Sequence, residues 1–345
     1  MSQTRELSDP PYLATVSTPL IEDWIDALRK CCSEDQLSSV LRRSGMDVFE
    51  NQTAHRVSLD QIVRLYQIAA IETGDEMMGL WSRPIRARAL QHLLTTVREA
   101  TTLSSALYRF STFWNLLLDD YRLVVASKDN MVTLQLIPQE DQEYQRFGHM
   151  LLLKLAHGLL SWLAGYELRV LDVQFAFDRP EFAEDYSVIF PAPVGFAAPM
   201  TSISFQTTKL DPTNKPGAAE LKRFLDRAPR DWIFTRFREH TQSLRVREFL
   251  YRMNWEECHL RDAAQAMKVT PRTLIRRLDA EGTSFQAIKD GLRRDLAIRD
   301  LQAGSKSIEE VSQDIGFSSA ANFHRAFRRW TGATPSSYRK PRLQI

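Results

Sequence analysis

Two arginines, Arg276 and Arg325, stand at the same phase of two short amphipathic segments within the last hundred residues of this 345-residue chain. A guanidinium is a planar fork of donors, able to pair bidentately with O6 and N7 of guanine and also with phosphate. Each segment keeps its apolar residues on the opposite side. In the first, Leu274 and Leu278 share one side at 100° per residue, while Arg272, Ile275, Arg276 and Asp279 spread over the other. In the second, Phe323, Phe327 and Trp330 form the buried stripe, and Ala321, His324, Arg325 and Arg328 form the outward one. Two short helices with basic outer faces, held a fixed distance apart, suit two successive major grooves of duplex DNA. The competing use of these arginines is a surface salt bridge, but the equal phase in both copies favours the groove.

The elements that position them read as tandem helix-turn-helix units. A helix over 247–254 is followed by one from about His259 to Met267, with Leu260, Ala263, Ala264 and Met267 inward. After the turn Lys268-Val269-Thr270, Thr270 is a good N-cap and Pro271 a good first helical residue; Gly282 ends the helix. The pattern then repeats, with Ile308, Val311 and Ile315 matching Leu260, Ala263 and Met267. The second turn, Gly316 to Ser319, is one residue longer, after which Phe323, Arg325 and Phe327 match Leu274, Arg276 and Leu278. Ser284 to about Ala303 predicts a connecting helix of roughly 27 Å. Its apolar stripe changes sides, from Phe285, Ile288, Leu292 and Leu296 to Ile298 and Leu301, as a strut packing one lobe with each half would require. Such a strut matters because groove positions on one face of DNA recur every ~34 Å. Gly291 sits mid-helix, so either something packs close to it or the helix bends.

Composition agrees with a mixed, folded chain. Hydrophobic residues make up 43% and charged residues 26%, which excludes a disordered protein. The net charge of +2 hides an asymmetry: residues 245–345 carry an excess of seven positive charges and the remainder an excess of five negative. Three cysteines, Cys31, Cys32 and Cys258, match neither a disulfide framework nor zinc spacing, so reduced thiols, a cytoplasmic setting and no metal are expected. The N-terminus lacks the apolar run of a signal peptide, and the apolar stretch 150–168 is interrupted by Lys154, His157 and Gly165, so a buried helix is expected there and no membrane partner.

Residues 1–100 read mostly helical, with Gly45 and Gly74 as helix stops. The helix signal continues over 103–118. Tyr121–Ala126 and Met131–Ile137 read as a hairpin about the turn Ser127 to Asn130, an apolar helix follows over 148–165, and Leu168–Phe177, Val188–Phe190 and Ile203–Phe205 are further strand candidates. The expected organisation is an α+β domain over 1–215, a linker over 216–240 and an all-α, tandem helix-turn-helix domain over 241–345.

From about Leu244 to Lys340 the chain resembles the DNA-binding domain of the AraC/XylS family of bacterial transcription regulators. Ile315-Gly316-Phe317, Phe323-His324-Arg325, Phe327, Trp330-Thr331-Gly332, Pro335 and Tyr338 stand where the family pattern has them. The N-terminal region resembles, through TLSSALYRFSTFWNLLLDD, the effector domains of the ornithine-utilisation-regulator branch. The resemblance implies a sensor that binds a small molecule, dimerises, or both, and it implies promoter DNA, RNA polymerase and an effector as partners, with a homodimer among the expected assemblies. It favours activation over repression. It places Arg272, Ile275 and Arg276 in one groove and Ala321, His324 and Arg325 in the next; Ile275 and Ala321 suit a thymine methyl. Ala321 is small where many relatives carry a longer polar residue, which leaves His324 and Arg325 as the readers there. Lys306, Arg328, Arg329, Arg339 and Lys340 are placed for phosphates.

In the sensor, Trp81, Arg83, Arg86, Arg88, His92, Phe113, Trp114 and Tyr121 are candidates to line an effector pocket, with the aromatic ones equally suited to a core. No phosphate loop, HExxH or GxSxG appears, so neither catalysis nor a cofactor is expected. An effector-independent DNA-binding regulator and an enzyme with a DNA-targeting tail are the alternatives.

Overall fold

The computed structural model describes residues 15–46, 56–139, 145–207, 216–233, 242–253, 255 and 259–339. Strand β1 (Thr15–Ser17) pairs antiparallel with β2 (Arg56–Ser58), placing Ser17 opposite Arg56. These two short strands were not expected from the sequence, because three residues are too few to show a period of two. Between them lie α1 (Pro19–Cys31) and α2 (Glu34–Ser44). Ser33 caps α2 by accepting from the Gln36 N–H, and Gly45 closes it at φ 79°. Helix α3 (Leu59–Thr73) ends at Gly74, whose φ is 65°, so both glycines end helices as expected. Then come α4 (Ala89–Val97) and α5 (Leu103–Asn115), the latter burying Leu103, Leu107, Phe110 and Trp114 on one side.

The expected hairpin forms from β3 (Tyr121–Lys128) and β4 (Met131–Pro138). Its turn is tighter than the four residues anticipated. Lys128 pairs with Met131, leaving only Asp129 and Asn130 in the loop, with Asp129 at φ 51°. Positive φ is what a two-residue hairpin loop demands, and Asp tolerates it better than most residues.

Helix α6 (Arg146–Ala164) is the centre of the N-terminal core. It is long and apolar enough to cross a membrane, but 94% of its most apolar window is buried inside the protein. Strand β5 (Val170–Gln174), the short helix α7 (Tyr186–Ile189), β6 (Val194–Gly195) and β7 (Thr201–Gln206) follow. One five-stranded sheet results, in the order β3-β4-β7-β5-β6, antiparallel except for β5 beside β6. The strand expected at Val188–Phe190 is corrected by the structure: Val188 and Ile189 belong to the helical turn α7, which buries Tyr186 and Ile189. A short apolar run has the same appearance in either conformation.

Helices α8 (Ala218–Asp226) and α9 (Arg230–Ile233) fall in the segment expected to be a linker, and both pack on the N-terminal core. Phe224 lies 4.9 Å from Trp162, and Trp232 is wholly buried. Gly158 makes room for it, since a Cβ there would stand 2.2 Å from the Trp232 carbonyl oxygen. A separate second core unites α10 (Gln242–Arg252), α11 (Leu260–Ala266), α12 (Pro271–Ala280), α13 (Phe285–Ala303), α14 (Ile308–Asp314), α15 (Ala320–Thr331) and α16 (Pro335–Tyr338). Cys31 and Cys32 are free thiols, and burial and the neighbouring Cys32 push the Cys31 thiol up to about 11. Cys258 lies outside the described residues.

Candidate DNA-binding surface

Each lobe of the second core presents one capped helix on a buried apolar pair. In the first, Thr270 accepts from the Thr273 N–H at 3.2 Å, Pro271 opens α12, and Leu274 and Leu278 are buried. That docking leaves Arg272 and Arg276 exposed, and Ile275 45% exposed. In the second lobe, Ser319 caps α15 through the Asn322 N–H, while Phe323 and Phe327 are fully buried. Ala321 and Arg325 are exposed there, and His324 is half-buried at the edge of the Phe323 ring. Five of the six expected base-facing residues are thus exposed beside or opposite their docking pairs, and His324 is half-buried on the flank.

The arginines differ in how they are held. Among the described residues, Arg272, Arg276 and Arg328 enter no ion pair. Arg325 donates from Nη2 to Asn322 Oδ1 at 2.7 Å, which orients its guanidinium along α15. Arg329 stands 3.6 Å from Asp290, tying α15 to α13. Lys306 is bound more tightly, with Nζ 2.8 Å from Asp300 and 2.6 Å from Asp314. These hydrogen bonds raise its pKa, so it stays charged, but a phosphate would have to compete with two carboxylates. Arg339 is half-buried, and Lys340 lies outside the described residues.

The connecting helix α13 runs 19 residues, about 28 Å, from its Ser284 cap to Gly304 at φ 70°. Gly291 is not a point of close approach: a Cβ there would meet only Arg247 Nη1, at 3.8 Å. The positional match between the turns extends to conformation, since Lys268 and Gly316 both adopt positive φ, 56° and 77°.

A buried polar network joins this domain to the sensor, and no periodic signal in the sequence announces it. On α13, Asp295 accepts from Arg247 of α10 at 2.7 Å and from Arg294 at 3.1 Å. It also accepts from Thr15 of β1, which in turn accepts from Arg56 Nε at 2.9 Å. Arg56 continues to Asp185 at 2.6 Å, and Asp185 accepts from Ser17. Burial and nearby Arg294 pull the Arg56 pKa down, against the raising effect of Asp185 and Asp295.

Among the expected pocket residues, Trp81 meets Tyr121 edge-to-face with ring centroids 5.5 Å apart, and Phe113 meets Trp114 at 5.6 Å. Trp81, Trp114 and Tyr121 are core, whereas Arg86, Arg88 and His92 are exposed and Arg83 pairs with Asp119 at 3.5 Å.

Comparison with known proteins places both halves. The family model for the arabinose-binding N-terminal domain of AraC transcription regulators matches residues 36–213, and a helix-turn-helix domain model matches 263–341. The ornithine utilization regulator of Pseudomonas aeruginosa is 27% identical over 189 residues, 55% of this chain and 56% of the relative. The urease operon transcriptional activator of Escherichia coli is 38% identical over 81 residues, 24% of this chain and 27% of the relative. The chain thus matches only about half the length of the first of these relatives and about a quarter of the other. A crystal structure of the regulator CdpR from Pseudomonas aeruginosa aligns over 94% of this chain and 97% of its own at 21% identity and a TM-score of 0.31. Because the arabinose-binding family model alone spans just over half of the residues, this chain belongs to the AraC family of transcription regulators.

Proposed function

We propose that this protein is a cytoplasmic transcription regulator that binds promoter DNA through two successive major grooves under the control of a small-molecule effector. One observation carries the proposal: α12 and α15 expose Arg276 and Arg325 at matching positions of two lobes joined by a single helix. Arg272 and Ile275 read beside Arg276, and Ala321 and His324 beside Arg325. Arg328, Arg329 and Arg339 set register on phosphates, with Lys340, and Lys306 joins them only by leaving its carboxylates. The sensor, residues 15–233, binds the effector, pairs subunits, or does both. Its state reaches the DNA-binding domain through Thr15 and Asp295, because any shift of β1 against α13 disturbs buried charges. Activation through contact with RNA polymerase is the expected output.

The test is selection of bound sites from a randomised duplex library by the full chain, followed by binding of the selected site. Arg276→Ala and Arg325→Ala should each relax preference at a separate position, about one helical turn apart, at a loss of about 1–3 kcal/mol each. Variants that discriminate like the parent overturn the assignment.

A further inference from the structure

The two lobes touch each other directly, away from the helix that joins them. Trp255 belongs to the connection between α10 and α11 in the first lobe. Its indole Nε1–H donates to the carbonyl of Asp314, the last residue of α14 in the second lobe, at 2.8 Å. Helix-end carbonyls lack intrahelical donors, so this bond answers a need of the second lobe. Arg293, midway along α13, brings its guanidinium 4.9 Å from the Trp255 ring and 5.0 Å from the Phe317 ring. It also donates from Nη2 to the Gly316 carbonyl at 3.2 Å.

We propose that Trp255, Arg293 and Phe317 form a clasp that sets the separation and angle of the two recognition helices, which makes Trp255 and Arg293 positioning residues for DNA binding. A single helix fixes how far apart two lobes lie along its axis. It controls their rotation about that axis only through the side chains each half buries. A second tie, off the axis, removes that freedom.

The two turns of the repeat carry independent support. Lys268 and Gly316 occupy the same position, and both are left-handed, at φ 56° and 77°. The backbone conformation alone therefore tolerates a lysine. What only glycine tolerates at the second turn is the clasp itself: a Cβ on Gly316 would stand 2.4 Å from the Cβ of Trp255.

This positioning role rests on the DNA-binding function proposed above, and the experiment separates the two. Spin labels at Ala280→Cys and Ala321→Cys, in a full chain with Cys31, Cys32 and Cys258 replaced by serine, report the distance between α12 and α15 without DNA. The parent should give one narrow distribution, and Trp255→Ala and Arg293→Met should each broaden it, with Trp255→Phe intermediate. Arg293→Met keeps the stem length and carries the test if Trp255→Ala does not fold. In unlabelled chains with Ala280 and Ala321 intact, a duplex selected by the parent is then lengthened by two base pairs between its half-sites. The parent should lose about tenfold or more, as the second set of base contacts turns away, whereas the clasp variants should lose clearly less. An equally narrow distribution in both variants overturns the clasp. A broadened distribution together with a parent that selects no site leaves the clasp standing and overturns the DNA-binding proposal.

Discussion

Thr15 donates its hydroxyl proton to Asp295 at 2.5 Å, joining a strand of the sensor to the connecting helix of the DNA-binding domain across 280 positions of sequence. Both groups are buried, and the same Thr15 oxygen accepts from Arg56, so one hydroxyl couples a cation on the sensor to an anion on the other domain. Removing the hydroxyl leaves both without one partner. Thr15→Val is therefore expected to destabilise by about 1–3 kcal/mol. Asp295→Ala strands Arg247 and Arg294 and should lose about 3–5 kcal/mol. A double-mutant cycle with Thr15→Val and Asp295→Asn, read by urea unfolding, should return a coupling of about 0.5–3 kcal/mol. A coupling of zero would mean that the contact does not transmit energy between the domains.

Gly291 offers a gain. Its mid-helix position on α13 disfavours the helix, and the space beside it admits a methyl at ordinary contact distance from Arg247. Gly291→Ala should stabilise the chain by about 1 kcal/mol. Thermal unfolding checks it, and a lowered midpoint would show that the glycine accommodates a bend.

The two helix-helix turns should respond in opposite directions. Exposed Lys268 is left-handed, so Lys268→Gly should relieve strain and gain about 0.5–1 kcal/mol after the entropy of glycine is subtracted. Gly316→Ala adds left-handed strain and a clash with Trp255, and should lose about 2–4 kcal/mol. Denaturant midpoints of the two variants decide the matter; a Gly316→Ala chain as stable as the parent would contradict the packing described.

Acid should loosen the sensor through His149. Its Nδ1 lies 2.8 Å from the Thr201 hydroxyl, whose oxygen also accepts from the Ala176 N–H. Burial lowers the His149 pKa from 6.5 to about 4. The unfolded chain therefore binds a proton that the folded one refuses between these values, and stability falls as pH drops from about 6.5 toward about 4. From pH 7 to pH 5 this one group should remove about 2 kcal/mol. His149→Gln should show a correspondingly smaller acid loss when urea midpoints are compared at the two pH values. Equal losses in both chains would place the acid sensitivity elsewhere.

Much of the candidate DNA-binding surface was legible before the structure, because it depends on local periodicity. Leu274 with Leu278 and Phe323 with Phe327 choose which face of each helix is buried, and the opposite faces follow by geometry. Thr270-Pro271 and Gly282 mark the ends of α12 in the same way, by needs that reach only a few residues along the chain. Tertiary packing decided what spacing cannot encode. It turned Val188 and Ile189 into a helical turn, drew Trp232 into the sensor core beside Gly158, and left Trp81 and Arg86 in different environments. It also chose partners for isolated polar side chains, Thr15 with Asp295 and Trp255 with Asp314. A period repeats and can be seen within one helix, whereas a hydrogen bond between distant elements occurs once and exists only when the whole chain has placed both of its ends.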